Sequence, residues 1–266
     1  MCQLVFNAMI ALMNQNQPPA LTIAKLHVRY RQHWLFDQLD FHLPAQKWTC
    51  LLGPSGVGKT TLLRFIAGLE YAKDTECFGS ITTSDNQPLS NRITYMAQQD
   101  LLMPWLNVLD NVLIGAHLRN EKTTPQLKQT AIDLLENAGL KNIIQLKPQQ
   151  LSGGMRQRVA LVRTLFENRP IILMDEPFSS LDVITRLKLQ NLASKLLINR
   201  TVLLVTHDPL EALRLGDYIY TMAGSPVKIS VPIEPIGSAP RDPTDITLLQ
   251  QHAKLMQLLA ENSEED

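Results

Sequence analysis

The chain of 266 residues has 25 Lys and Arg residues and 25 Asp and Glu residues, so its formal net charge is zero. This balance argues against a nucleic acid as partner, because a polyanion is bound by a basic surface. The three cysteines lack the spacing of metal ligands and indicate free thiols in a reducing compartment. No apolar run reaches the roughly 18 residues that span a bilayer.

The first part of the chain predicts an extension followed by short strands. We expect residues 1–19 to form an N-terminal extension that is untranslated or disordered, with Met13 as an alternative start. Residues 21–30 and 35–43 are predicted strands. Residues 48–52 (WTCLL) predict a buried strand, because this short apolar run stops at a Gly-Pro pair. A helix over residues 60–68 and two short strands within 79–97 follow.

The middle of the chain is predicted to be helical and the last part alternates. Within residues 107–151, apolar side chains recur at helical spacing from Leu127 to Ala138. After residue 152, helices alternate with strands at 171–175, 201–206 and 218–222, which predicts a parallel sheet covered on both faces. We therefore expect an α/β domain over 20–230 with a helical insertion at about 100–155. A partly helical C-terminal extension over 231–266 is predicted to follow, with its helix at 244–261.

Residues 53–61 (GPSGVGKTT) have the spacing of a P-loop, a phosphate-binding loop between a strand and a helix. Its glycines let backbone N–H groups point at phosphate oxygens, reinforced by the helix N-terminus. Lys59 is expected to reach the β- and γ-phosphates, and the Thr60 hydroxyl to ligate Mg²⁺. The alternative is a structural glycine-rich turn. The predicted nucleotide contacts are Gly53, Pro54, Ser55, Gly56, Val57, Gly58, Lys59, Thr60 and Thr61.

Residues 171–177 (IILMDEP) form an apolar strand that ends in two acids. A buried strand of this kind delivers Asp175 to the edge of the sheet beside the P-loop, where a carboxylate helps to hold Mg²⁺. Glu176, one residue further, is expected to reach the water that attacks the γ-phosphate. The alternative is a pair of acids exposed to solvent at a strand end.

Residues 151–158 (LSGGMRQR) suggest a second phosphate-binding helix start. Ser152 is a good N-cap, and Gly153 and Gly154 permit close approach of the backbone to an anion. Such a site is redundant within one molecule, but it is useful if each copy serves the nucleotide held by the other. This segment resembles the signature of the ABC (ATP-binding cassette) ATPase family. The resemblance implies a head-to-tail homodimer with two ATP molecules at its interface.

The resemblance implies roles for further residues. Tyr30 matches the aromatic residue that stacks on adenine, with simple packing as the alternative. Gln98, with Gln99 as fallback, matches the glutamine that contacts Mg²⁺ and water and senses the transmembrane subunit. Asp182 matches the loop that crosses the dimer interface, and His207 matches the histidine that contacts the γ-phosphate. Glu176, His207 and Gln98 are therefore the expected catalytic residues, and Thr60, Gln98 and Asp175 the expected Mg²⁺ ligands.

The same resemblance implies a RecA-like parallel-sheet core, an N-terminal antiparallel β subdomain and the helical insertion subdomain. Met155 departs from the Gln of many family members. With the surrounding motifs, it is similar to the group that imports nitrate, sulfonates and taurine, and importers of thiamine-precursor pyrimidines look much the same. The expected function is ATP hydrolysis that powers such an importer from the cytoplasmic face of the inner (plasma) membrane. The expected partners are permease subunits and, indirectly, a periplasmic or surface substrate-binding protein.

Residues 98–105 (QQDLLMPW) are too apolar for a solvated loop and are predicted to form part of a groove for a permease helix. The alternative is that they pack inward. Other functions stay open at this point. A soluble ABC ATPase of translation or DNA maintenance usually has two cassettes or a long coiled coil, whereas a small-molecule kinase would not need residues 151–158. Exporter cassettes are more often fused to membrane helices.

Overall fold

The computed structural model describes residues 17–69, 71 and 74–263, which form two compact units. The sheet unit comprises Pro18–Ile93, Pro170–Glu176 and Asn199–Asp266. The helical unit includes Thr94–Arg169 and Pro177–Ile198. Most of the predicted N-terminal extension, residues 1–16, lies outside the described residues.

The order of elements follows the predicted alternation. The strands are β1 (Leu21–Tyr30), β2 (His33–Leu43), β3 (Trp48–Leu52), β4 (Thr75–Thr83), β5 (Ile93–Met96), β6 (Ile171–Asp175), β7 (Thr201–Val205), β8 (Tyr218–Ala223) and β9 (Lys228–Ile229). The helices are α1 (Lys59–Ile66), α2 (Val108–Leu118), α3 (Pro125–Asn137), α4 (Gly153–Phe166), α5 (Val183–Leu196), α6 (Pro209–Leu215) and α7 (Ile246–Ser263), with 3₁₀ turns at Lys141–Ile143 and Pro148–Gln150.

An antiparallel sheet of order β2-β1-β4 begins the sheet unit. In β1 the buried positions are apolar, and the pairing places Leu21 opposite Leu43 and Val28 opposite Phe36. One face of this sheet is therefore packed and the other is polar, as the alternation of an antiparallel strand requires. The described end of the N-terminal extension lies near β7, since Thr201 Oγ1 donates a hydrogen bond to the Pro19 carbonyl at 2.8 Å.

The second sheet has the order β5-β6-β7-β3-β8-β9, and β5, which begins at Ile93, is an edge strand. Every residue of β3, β6 and β7 is buried, which is why these strands are almost continuously apolar. Strand β3 pairs in parallel with β7 and β8, and β6 pairs in parallel with β7. The carboxyl ends of β3, β6 and β7 therefore lie at the same edge, with Val205 in register with both Leu51 and Asp175.

Side-chain caps start the helices of the helical unit. Asn107, Thr124, Ser152 and Asp182 each accept a hydrogen bond from a backbone N–H in the first turn of the helix that follows. Such caps satisfy donors that a helix start leaves without partners. Helices α2 and α3 pack against α4. Within the segment predicted to be helical, residues 107–151, the structure has α2, α3 and two 3₁₀ turns, and the Thr124–Pro125 cap starts α3.

The C-terminal segment is held by one buried guanidinium. Arg241 donates hydrogen bonds to the carbonyls of Leu213 at 2.8 Å and Gly216 at 2.9 Å, at the end of α6. The same side chain donates to the carbonyls of three residues in its own segment, Pro235, Ile236 and Gly237. Helix α7 then packs on α6 and β8. Among the described residues, no helix is long and apolar enough to cross a membrane.

Candidate functional site

The P-loop connects the carboxyl end of β3 to the start of α1. Gly56 and Gly58 have left-handed backbones, with φ of 84° and 110°. A Cβ atom at Gly58 would also lie only 3.1 Å from Leu35 and Phe36 side-chain atoms. Gly56 is therefore favoured for its conformation alone, and Gly58 for both conformation and space. The loop consequently wraps tightly around the N-terminus of α1, a geometry that presents backbone N–H groups to an anion.

Lys59 lies inside the curve of this loop. Its Nζ donates hydrogen bonds to the carbonyls of Gly53 at 2.7 Å and Pro54 at 2.8 Å. Burial lowers the pKa of Lys59, while the nearby carboxylates of Glu176 and Asp175 act to raise it. The side chain thus brings a buried amine to the position where the loop would receive phosphate oxygens.

Thr60 and Asp175 supply neighbouring oxygens from α1 and β6. The Thr60 hydroxyl donates a hydrogen bond to Asp175 Oδ2 at 2.7 Å, and Asp175 is buried. Burial raises the pKa of Asp175, while the Thr60 hydrogen bond opposes this shift. Hydroxyl and carboxylate oxygens are ligands that Mg²⁺ prefers, and Mg²⁺ in nucleotide sites uses few protein ligands. Among the described residues no group of three His, Cys, Asp or Glu side chains could hold a metal ion by itself.

Glu176 and His207 follow two neighbouring parallel strands, β6 and β7. His207 Nδ1 lies 3.1 Å from Glu176 Oε1, and the exposed fractions of the two side chains are 56% and 12%. The Glu176 backbone has φ of 48°, which is strained for a residue other than glycine, and its N–H donates to the Val205 carbonyl at 2.9 Å. This strained turn separates Glu176 from the neighbouring Asp175 and directs its carboxylate to the histidine.

Tyr30 ends β1, with 39% of its surface exposed. Its hydroxyl lies 3.3 Å from Thr61 Oγ1, and the two share a hydrogen bond. An exposed aromatic ring next to α1 suits the predicted stacking on a base, and it is not buried in the core as the packing alternative requires.

The residues of the 151–158 segment lie in the helical unit. Ser152 Oγ accepts a hydrogen bond from the Met155 N–H at 3.3 Å, so Ser152 caps α4 as expected. Gly153 faces open space, with only an Arg156 atom 4.0 Å from where a Cβ would lie. At Gly154 a Cβ would lie 3.3 Å from the Ser180 carbonyl, so the backbone before α5 passes close to the start of α4. Asp182 caps α5 by accepting from the Thr185 N–H at 3.0 Å.

Gln98 and Gln99 form an exposed bend directly after β5. The next residue, Asp100, is anchored to α4 by contacts that no sequence motif predicts. Arg156 Nε donates to Asp100 Oδ2 at 2.9 Å, and Arg163 donates to the backbone carbonyls of Asp100 at 2.7 Å and Leu101 at 2.9 Å. The only sequence signal for this contact was the arginine that follows Met155.

The predicted site residues thus fall into two sets. The sheet unit contains Tyr30, the whole P-loop (residues 53–61), Asp175, Glu176 and His207. The helical unit contains Gln98, Ser152, Gly153, Gly154 and Asp182. The structure also adds Tyr71, whose hydroxyl donates to the Thr61 carbonyl at 3.2 Å. No motif marks Tyr71, so the sequence gives no signal for it.

Comparison with known proteins gives consistent matches. A family model described as ABC transporter matches residues 36–179. An uncharacterized ABC transporter ATP-binding protein of Haemophilus influenzae is 41% identical over 243 residues, which cover 89% of this chain and 97% of that protein. The aliphatic sulfonates import ATP-binding protein SsuB 1 of Rhodococcus jostii is 42% identical over 193 residues, which cover 72% of this chain and 74% of that protein.

A solved structure is similar over most of the chain. It is the dimeric structure of a post-hydrolysis state of the ATP-binding cassette MJ0796 bound to ADP and Pi. The TM-score is 0.70 at 27% sequence identity, and the match covers 82% of this chain and 100% of the solved one.

Proposed function

The chain belongs to the ABC transporter family and is an ATP-hydrolysing subunit of that family, and from this premise we propose that it powers an importer of a small solute. The fold class predicted from the sequence is confirmed, with an antiparallel N-terminal sheet beside a mostly parallel core sheet. The importer, the Mg²⁺ ion and the partner subunits are the parts of this proposal that go beyond the family.

The observation that carries the proposal is the convergence of five side chains at one edge of the core sheet. They are Lys59, Thr60, Asp175, Glu176 and His207. Thr60 is bonded to Asp175 at 2.7 Å, His207 lies 3.1 Å from Glu176, and Lys59 donates to the loop carbonyls of Gly53 and Pro54. Lys59 can exchange its two loop carbonyls for the β- and γ-phosphate oxygens of ATP. Thr60 and Asp175 would hold Mg²⁺, with Gln98 as the further ligand that the family resemblance implies. When bound, the ion would offset the negative charge that develops on the phosphate oxygens during hydrolysis.

Glu176 is proposed to orient and polarise the attacking water, because its carboxylate stands one residue past the Mg²⁺-binding aspartate and is largely shielded from solvent. His207 contacts that carboxylate, and with 56% of its side chain exposed it is the residue proposed to contact the γ-phosphate. Catalysis in this site rests on positioning and on charge stabilisation, as in other phosphoryl transfers.

A homodimer would complete each site. The N-terminus of α4 has a capped start, and the space beyond Gly153 is open, so this helix can receive a phosphate from a second copy. The similarity to a dimeric cassette bound to ADP and Pi supports this arrangement. In it, Ser152, Gly153 and Gly154 of one copy face the γ-phosphate held by the P-loop of the other, and Asp182 lies at the interface.

A permease is proposed to dock on the loop that follows Gln98. Trp105 is 67% exposed and Leu101 is 54% exposed, whereas Leu102 between them is buried. Asn111 ties this loop to α2, because its side-chain amide contacts the carbonyls of Met103, Leu106 and Asn107 and accepts from the Met103 N–H. A fixed loop with two exposed apolar side chains suits an amphipathic permease helix.

Sulfonates are the solute class with the best support. Relatives named as aliphatic sulfonate importers of Rhodococcus jostii and Burkholderia cenocepacia are 42% and 35% identical to this chain. Nitrate, taurine and thiamine-precursor pyrimidines are the other solutes that the motif variant suggests. Selectivity in such a system resides in the permease and the binding protein, which these residues do not form.

The test is reconstitution in proteoliposomes of this chain with the permease that co-purifies with it and the matching binding protein. ATP hydrolysis should require Mg²⁺ and should rise when one solute of the screened set (an alkanesulfonate, taurine, nitrate or a hydroxymethylpyrimidine) is supplied. Hydrolysis that no permease alters would favour the alternative, an ABC ATPase not coupled to transport. Stimulation by nitrate, by the pyrimidine or by a solute outside the set would contradict the proposed sulfonate class alone.

A further inference from the structure

Two tyrosine hydroxyls contact Thr61, in the first turn of α1. Its hydroxyl is bonded to the Tyr30 hydroxyl at 3.3 Å, and its carbonyl accepts a hydrogen bond from the Tyr71 hydroxyl at 3.2 Å. The Tyr71 hydroxyl also interacts with the half-buried Cys77 thiol of β4. Tyr71 thereby connects α1 to strand β4.

This connection lies directly beside the end of β1. Cys77 is paired with Val28, and Tyr30, two residues later, is paired with Thr75 on the same strand. Strands β1 and β4 are hydrogen-bonded neighbours, so whatever sets the distance from β4 to α1 also sets the distance from Tyr30 to the P-loop helix. Burial above all, followed by the neighbouring Cys77 and by Tyr30, raises the pKa of Tyr71, so its hydroxyl stays protonated and can donate.

We propose that Tyr71 is a positioning residue for the nucleobase, which fixes the height of the Tyr30 ring above α1. The inference rests on the proposed function, because it assigns Tyr30 to the base and the P-loop to the phosphates. Tyr71 does not touch the nucleotide in this proposal. It acts by holding β4, and with it the paired end of β1 that carries Tyr30, close to Thr61 of α1.

Phosphate binding should not depend on Tyr71. The phosphate loop is held from within by Lys59, which donates to two loop carbonyls, and by the bond from Thr60 to Asp175. Neither contact involves Tyr71. Loss of the Tyr71 hydroxyl should therefore change the affinity for the base while it leaves the affinity for the phosphate chain unchanged.

The experiment compares ATP with inorganic tripolyphosphate, each with Mg²⁺, by calorimetric titration of the full chain. The variant is Tyr71→Phe, which keeps the ring and removes only the hydroxyl. ATP affinity should fall about three- to tenfold, the range expected for one hydrogen bond, and tripolyphosphate affinity should stay within twofold. Tyr220→Phe is the matched control, because Tyr220 packs against Phe41 on another strand and should leave both affinities unchanged.

A second variant keeps the proposal open to refutation if Tyr71→Phe fails to fold. Cys77→Ala removes the partner on the β4 side, and it should lower ATP affinity in the same direction. An equal fall for both ligands would show that Tyr71 supports the P-loop and would overturn the proposal, as would no change for either. If the unaltered chain binds tripolyphosphate and ATP equally well, Tyr30 does not stack on a base. If it binds neither, the proposed function itself fails.

Discussion

Replacement of Glu176 by glutamine is the most direct test of the catalytic site. The two side chains have nearly the same shape, and a glutamine oxygen can keep the 3.1 Å contact with His207 Nδ1. What is lost is the negative charge that polarises water. Glu176 also acts to raise the pKa values of Lys59 and Asp175, so its neutralisation should lower both.

The expected loss of ATP turnover follows from the role of Glu176 as a general base. A positioned general base contributes roughly 10²–10⁴ in rate, which corresponds to about 3–5 kcal/mol in activation free energy. ATP turnover by Glu176→Gln should fall by a factor in this range. ATP affinity should be equal or higher, because the removed charge no longer repels the triphosphate.

The assay is phosphate release under saturating ATP and Mg²⁺, with ATP binding measured in parallel. ATP should also accumulate a dimer that size-exclusion chromatography separates from the monomer. Glu234→Gln, an exposed change of the same kind in the sheet unit, is the control and should keep normal turnover. If Glu176→Gln hydrolyses ATP at nearly the normal rate, Glu176 is not the catalytic carboxylate and the mechanism proposed for it is wrong.

Three further substitutions probe binding, coupling and stability. Lys59→Ala should weaken binding of a fluorescent ATP analogue at least tenfold, because it removes a charge from the phosphate site and two bonds that shape the loop. Trp105→Ala should keep the ATPase activity of the isolated subunit and reduce its assembly with the permease, measured by co-purification. Arg241→Leu should lower the free energy of unfolding in urea by about 2–4 kcal/mol, because five carbonyls lose their donor.

Each of these has a matched control at an exposed position. Lys254→Ala should leave ATP binding unchanged, Leu118→Ala should leave permease assembly unchanged, and Arg31→Leu should leave stability within about 0.5 kcal/mol. Unchanged affinity in Lys59→Ala would count against the P-loop assignment. Unfolding of the isolated subunit by Trp105→Ala would show that this side chain belongs to the core, and full stability in Arg241→Leu would show that the C-terminal segment is held by α7 alone.

The core of the fold was predictable because its information is local. Strands β3, β6 and β7 are short apolar runs that stop at the functional residues, so the sequence indicates both the strand and the end that carries chemistry. The helical unit was less predictable, since the apolar period from Leu127 to Ala138 marks α3 alone and leaves the bounds of α2 undefined. Strand β9 was not predicted, because a strand of two residues is too short to show the alternation of apolar and polar side chains.

The parts of the site that the sequence did not reveal depend on contacts distant in the chain. Arg241 donates hydrogen bonds to backbone carbonyls at the end of α6. Every residue has a backbone carbonyl, so the sequence does not indicate which ones accept a hydrogen bond. Tyr71 is an ordinary tyrosine until the fold places it between Thr61 and β4. Motif spacing identifies the groups that touch a ligand, whereas the groups that hold them in place are found only from coordinates.

The adjacent carboxylates of Asp175 and Glu176 show how the fold separates two roles within two residues. Asp175 is the last residue of β6, is buried, and is bonded to a hydroxyl, which suits a metal ligand. Glu176 leaves the strand with a left-handed backbone, which turns its side chain away from that hydroxyl and toward His207. If β6 continued as a regular strand through Glu176, the side chains of Asp175 and Glu176 would lie on opposite faces of the sheet. The Glu176 side chain would then point into a face that is covered by helices. The strained turn instead keeps both carboxylates at the sheet edge that carries the P-loop. The parallel register of β6 with β7 places His207 next to Glu176.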